Sequence, residues 1–144
     1  MQKTVIAVMA KANRGKTTSL CKLIDILPFE GKEVDERFNL KDRLVVGTYR
    51  GVKIGINTWG DPYSGVEERM KRCIESGCQI IVSACRSKGI TTMEVDEPAK
   101  ENGFQTVWIQ PYLSLWGEWC GGIYLNDAFA ESLKQFINQL IDDK

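Results

Sequence analysis

The sequence predicts an α/β fold: one three-layer α/β/α sandwich over residues 1–144, built on a mostly parallel sheet of five to six strands with an antiparallel edge hairpin. Three patterns point there. Val5 to Val8 is a continuous apolar run of the kind found in strands buried on both faces, and Leu20, Leu23, Ile24 and Leu27 follow it at helical spacing. Two β-rich runs, Arg43 to Tyr49 and Val52 to Ile56, are separated only by Arg50-Gly51, a tight-hairpin signal. Two later strand runs alternate with helical patterns, so helices cover both faces of the sheet.

In chain order, Pro28 closes the first helix. Phe29 to Lys41 (FEGKEVDERFNLK) is charged and poor in large apolar residues, which predicts a solvated connection. The hairpin that follows must be antiparallel, because a parallel crossover needs about a dozen residues or more. Its first strand is therefore expected at the sheet edge. Gln79 to Ala84 is the next strand, Thr92 to Asn102 a short helix ended by Gly103, and Gln105 to Gln110 a further strand stopped by Pro111. Tyr112 to Leu125 (YLSLWGEWCGGIYL) is aromatic and glycine-rich. Phe129, Leu133, Phe136, Ile137, Leu140 and Ile141 form the apolar stripe of a closing helix.

At 144 residues the chain has the length of one ordinary domain. Nineteen basic and nineteen acidic residues cancel, so no global field draws it to nucleic acid or to an anionic membrane, and neither partner is expected. Its first residues lack the charged-then-apolar pattern of a signal peptide, and its apolar runs are far below spanning length, which predicts a cytoplasmic protein. Five cysteines, without a C-x-x-C pair and without any histidine, point away from zinc and disulfides. Cys73 and Cys78 read as small buried thiols.

The chemistry concentrates between the first strand and helix. Residues 10–17 read Ala10-Lys11-Ala12-Asn13-Arg14-Gly15-Lys16-Thr17, and a phosphate-binding loop asks for Gly, four residues, then Gly-Lys-Ser/Thr. Gly15, Lys16 and Thr17 match, while Ala10 stands at the first glycine position, the smallest possible departure. Gly15 lets backbone amides approach phosphate oxygens, and the amides of Lys11, Ala12, Asn13 and Arg14 line the same loop. Lys16 is placed for the β and γ phosphates, Thr17 for Mg²⁺, Thr18 for the α phosphate, and the helix N-terminus adds partial positive charge. The competing reading is an ordinary strand–loop–helix with a surface lysine.

These residues resemble the P-loop NTPase superfamily, and the hairpin after a long first connection is similar to that of small GTPases, which implies their strand order. The resemblance is architectural over nearly the whole chain and covers about a dozen residues in motif. In GTPases the third strand ends Asp-x-x-Gly, whose Asp holds a water on Mg²⁺ and whose Gly gives an N–H to the γ-phosphate. Here the strand ends Asn57-Thr58-Trp59-Gly60-Asp61, so Gly60 keeps its place and Asn57 replaces the carboxylate. Asp61, just past the strand end, is the candidate to supply that charge to the metal or to act as a base; the alternative is a turn that begins the next helix. The guanine-reading Asn/Thr-Lys-x-Asp has no counterpart in Cys85-Arg86-Ser87-Lys88-Gly89, and no Thr occurs between Thr18 and Thr48 to serve as a switch threonine. Adenine is therefore favoured over guanine. The chain resembles small P-loop ATP-binding proteins that follow neither the GTPase nor the kinase pattern fully.

Arg86 and Lys88 are read either as cations for transferred phosphoryl charge or an acidic second substrate, or as solvent-facing loop charges; Arg86 fits phosphate better because its fork is bidentate. Trp116, Trp119 and Tyr124 stack on a purine, grip a protein partner or second copy, or cover the core edge. The leading expectation is an Mg²⁺-dependent protein that binds ATP, or GTP, and performs slow hydrolysis or phosphoryl transfer, with Lys16, Asp61 and Arg86 as catalytic candidates and Thr17 and Asp61 at the metal. The alternatives are a nucleotide or small-molecule kinase using Arg86 and Asp61, and a degenerate, non-catalytic nucleotide-binding or interaction module.

Overall fold

The computed structural model describes residues 1–9, 16–86, 89–110 and 121–143, with the side chains of 16 and 121–126 outside that set. The chain runs β1 (Thr4–Met9), α1 (Lys16–Ile26), β2 (Gly31–Arg37), β3 (Arg43–Tyr49), β4 (Val52–Asn57), α2 (Val66–Glu75), β5 (Ile80–Cys85), α3 (Ile90–Glu101), β6 (Gln105–Ile109) and α4 (Gly121–Asp142). One six-stranded sheet has the order β2-β3-β4-β5-β1-β6. Pairs β4–β5, β5–β1 and β1–β6 are parallel, whereas β2–β3 and β3–β4 are antiparallel.

The sheet is thus mixed rather than mostly parallel, for a reason that lies in connection length. β3 and β4 are joined by Arg50 and Gly51 alone, with φ of 52° and 77°. Two successive positive φ values are those of a type I′ turn, which matches the strand twist and permits only antiparallel pairing. The hairpin is not the sheet edge, because part of the segment expected as a solvated connection is β2. It pairs with β3 from Gly31↔Thr48 to Arg37↔Arg43. Only Val34 of its seven residues is even half-buried, so β2 has no apolar periodicity for a sequence pattern to detect; the backbone ladder makes the strand. Its charged side chains suit an exposed edge.

Burial explains the layers. On one face, Leu20, Leu23 and Ile24 of α1 and Phe129, Leu133 and Ile137 of α4 pack over Ile6, Val8, Ile54, Ile56 and Val82. On the other, Val66, Met70 and Cys73 of α2 and Val95 and Ala99 of α3 cover Val5, Ala7, Leu44, Val46 and Ile81. Consecutive sheet residues feed opposite clusters, as pleating requires. α4 starts at Gly121, inside the aromatic, glycine-rich segment Tyr112 to Leu125. Among the described residues no helix is long and apolar enough to cross a membrane.

Because β1, β4, β5 and β6 share one direction and β3 opposes them, the carboxyl ends of those four strands and the start of β3 lie along one edge of the sheet. Open α/β sheets bind ligands at that edge.

Candidate functional site

The first turn of α1 places Thr17 against two residues that the hairpin brings together. Asp42 directly precedes β3 and Thr58 directly follows β4, and the register Leu44↔Asn57 makes them neighbours. Their backbones close the ladder: the Thr58 N–H donates to the Arg43 carbonyl at 3.0 Å and the Arg43 N–H donates to Thr58 Oγ1 at 2.9 Å. Thr17 Oγ1 donates to Asp42 Oδ1 at 3.2 Å and lies 3.4 Å from the Thr58 carbonyl oxygen. Thr58 Oγ1 donates to the same Asp42 Oδ1 at 3.1 Å. On the far side Asn39 Nδ2 donates to Asp42 Oδ2 at 2.9 Å, while Asn39 Oδ1 accepts the N–H groups of Lys41 and Asp42 at 2.7 and 2.8 Å. Asp42 is 8% exposed. A carboxylate that deep is ordinarily hydrogen-bonded, and these donors satisfy it. One helical turn beyond Thr17, Cys21 donates to the Lys41 carbonyl, and burial pushes its thiol pKa up.

The end of β4 is organised by a second network. Asn57 is buried; its Nδ2 donates to the Trp59 carbonyl and to Ser83 Oγ, both at 3.0 Å, and its Oδ1 accepts the Trp59 N–H at 3.2 Å and Arg69 Nε at 2.8 Å. The amide suits the position because the Trp59 carbonyl can only accept, and Ser83 Oγ, which donates to the Ala84 carbonyl, accepts here as well. Arg69, reaching up from α2, also donates to the Ser64 carbonyl at 2.6 Å, the Trp59 carbonyl at 2.8 Å and Ser64 Oγ at 3.0 Å. Its guanidinium carbon lies 4.9 Å from the Trp59 ring centre and 5.3 Å from that of Phe38, and the two ring centres are 5.9 Å apart, so the cation sits beside a contacting aromatic pair. Burial lowers the Arg69 pKa, the charges of Asp42, Glu94 and Glu68 oppose that shift, and a guanidinium stays cationic.

Asp61 and Arg86 meet. Arg86 follows β5, its N–H donates to Thr91 Oγ1 at 2.9 Å, and its guanidinium pairs with Asp61 Oδ1 at 3.2 Å. Asp61 Oδ2 accepts Trp59 Nε1 at 3.3 Å. Asp61 lies in the turn before α2, where its carbonyl accepts Ser64 N–H and Oγ–H. Between the two networks Gly60 lies flat on β5: a Cβ there would stand 2.7 Å from the Ala84 carbonyl carbon and the Cys85 nitrogen. Close approach of two backbones is thus a sufficient reason for glycine at this position. Thr18 is exposed on the first turn of α1. Ala10, Lys11, Ala12, Asn13, Arg14, Gly15, Lys88, Trp116 and Trp119 lie outside the described residues, as do the side chains of Lys16 and Tyr124.

Sequence reasoning paired Thr17 with Asp61, while the carboxylate that touches Thr17 is Asp42. The signal was an acidic residue immediately before an antiparallel strand, whose start lies at the ligand edge. Arg69 was also missed; it shares the spacing of Val66, Met70 and Cys73 on the buried face of α2, where a cation needs a polar destination. Comparison of the chain with protein-family models, curated proteins and solved structures finds no match.

Proposed function

We propose that this protein binds a nucleoside triphosphate, ATP ahead of GTP, together with Mg²⁺ in a P-loop between β1 and α1, and that it hydrolyses the nucleotide slowly or transfers its γ-phosphoryl group. The observation that carries the reading is the Thr17 hydroxyl, in the first helical turn behind Gly15-Lys16, directed at a buried carboxylate at the carboxyl edge of the sheet. A P-loop needs a hydroxyl there for the metal and an anionic oxygen within its reach. Lys16 and the loop amides hold phosphate charge. Thr17 would hold Mg²⁺, which would supply positive charge to the phosphate oxygens.

Asp61 is the base of this proposal: it stands past the end of β4, is exposed, and is steered by Arg86 and Trp59. In hydrolysis the water oxygen bonds to the γ-phosphorus, the bond to the β–γ bridging oxygen breaks, and the carboxylate takes the water proton. Asn57, with all its polar atoms engaged by protein, organises the strand end.

Isothermal titration with non-hydrolysable ATP and GTP analogues, with and without Mg²⁺, tests the reading. Metal-assisted binding of one nucleotide by the parent and its loss in Lys16→Ala is the expected result; no binding of either overturns it. The Asp61–Arg86 pair favours one variant of the reading, a kinase, in which Arg86 holds an anionic acceptor. That variant predicts a second phosphorylated product, where hydrolysis releases inorganic phosphate alone.

A further inference from the structure

We infer that Thr17, Asp42 and Thr58 form a divalent-cation site for an ion of the Mg²⁺ or Mn²⁺ class, with Asp42 as its charged ligand. The donors are Thr17 Oγ1, Asp42 Oδ1 and the Thr58 carbonyl oxygen, all hard oxygens from three separate elements. Adjacent oxygens on an octahedron with metal–oxygen distances near 2.05 Å are about 2.9 Å apart. The observed edges, 3.2 Å from Thr17 Oγ1 to Asp42 Oδ1 and 3.4 Å from Thr17 Oγ1 to the Thr58 oxygen, are within a few tenths of an ångström of that value. Three corners from protein leave the rest for water and phosphate, the division Mg²⁺ sites favour.

Charge makes the case independently of spacing. Buried carboxylates are ordinarily paired or coordinate metals, and among the described residues no lysine or arginine ion-pairs with Asp42. The neighbouring Arg43 faces Asp35 at 3.0 Å and Asp25 at 3.8 Å. Arg69 feels the Asp42 charge through space but gives its hydrogen bonds to Asn57, Ser64 and Trp59. Among the described residues, every side-chain hydrogen bond to the Asp42 carboxylate comes from a neutral group. Asn39 clamps Oδ2 and so turns Oδ1 toward Thr17, the outer-shell orientation typical of metal carboxylates. The Thr17 and Thr58 hydroxyl protons, now directed at Oδ1, are free to rotate away when a cation takes their place. Asp61, by contrast, is exposed and already paired with Arg86.

This inference rests on the proposed function only for its nucleotide arm. The test is Mn²⁺ uptake followed by electron paramagnetic resonance for the parent, Asp42→Asn, Thr17→Val and Asp61→Asn, without nucleotide and with the non-hydrolysable ATP analogue. One Mn²⁺ is expected per parent chain, weakened roughly ten- to a hundredfold in Asp42→Asn and Thr17→Val and unchanged in Asp61→Asn. Parent-like uptake by Asp42→Asn, loss in Asp61→Asn alone, or no uptake by the parent in either arm overturns the site. Thermal unfolding checks each variant, and if Asp42→Asn fails to fold, Thr17→Val decides. Uptake without nucleotide binding would leave the cation site standing and the nucleotide reading overturned; nucleotide binding with no uptake would overturn the cation site and the Mg²⁺ part of the proposed function, leaving nucleotide binding alone.

Discussion

Replacing Arg69 with Met removes the guanidinium while roughly keeping its volume and its contact with Trp59. The side chain makes four hydrogen bonds, of 2.6 to 3.0 Å, to Asn57, Ser64 and Trp59. Hydrogen bonds involving a charged group contribute roughly 1.5–3 kcal/mol each, a figure already net of the cost of taking the groups out of water. The four share one guanidinium and do not simply add, and Met keeps the apolar contact, so the expected loss is about 3 kcal/mol, the low end of what removing one partner from a buried charged network costs. Urea unfolding followed by far-ultraviolet circular dichroism measures it as a lower midpoint at unchanged slope, and a thermal melt should fall by roughly 10 °C. Arg69→Lys, with a cation but no fork, should retain only part of the difference. A loss below about 1 kcal/mol in Arg69→Met, or a gain, would refute the view that this arginine ties the end of β4 to α2.

Two further outcomes follow from the same edge of the sheet. Gly60→Ala forces a Cβ to 2.7 Å from the β5 backbone, so backbone must shift to make room and urea unfolding should show a loss of about 1–3 kcal/mol; an unchanged midpoint would mean that the segment after β4 moves off β5 without cost. For Asp35, burial pushes the carboxyl pKa up, but the hydrogen bond and charge of Arg43 outweigh it and hold the group below its ordinary value. A pKa lowered on folding contributes stability that is complete above the ordinary carboxylate range near pH 4 and lost as pH falls through the folded value. Asp35→Asn should therefore flatten the fall in stability between pH 5 and 2, and an identical acid profile would remove Asp35 from that account.

The legible parts of the fold were those carried by local pattern. Val5 to Val8 announced a buried strand, Arg50-Gly51 a hairpin, and Phe129 through Ile141 a helix, because apolar periodicity and turn chemistry are properties of neighbouring residues. β2 was illegible for the opposite reason: Lys32, Glu33, Asp35 and Glu36 are exposed, and what makes them a strand is the ladder offered by β3. The same limit applied to the site. Gly15-Lys16-Thr17 could be found by spacing, and Asp61 and Arg86 were singled out separately, yet their pairing joins residues that lie 25 positions apart.

Sequence alone determined the α/β class, the antiparallel hairpin and the closing helix, since each is written in contiguous residues. Tertiary structure decided that the sheet is mixed, that β5 lies between β4 and β1, and that Asp42 faces Thr17. Those outcomes depend on which strand edges pair across the chain and on where a buried charge finds donors. Both are set by the free energy of the whole packed domain, in which a carboxylate before β3 and a hydroxyl in α1 become neighbours only after every layer between them has closed.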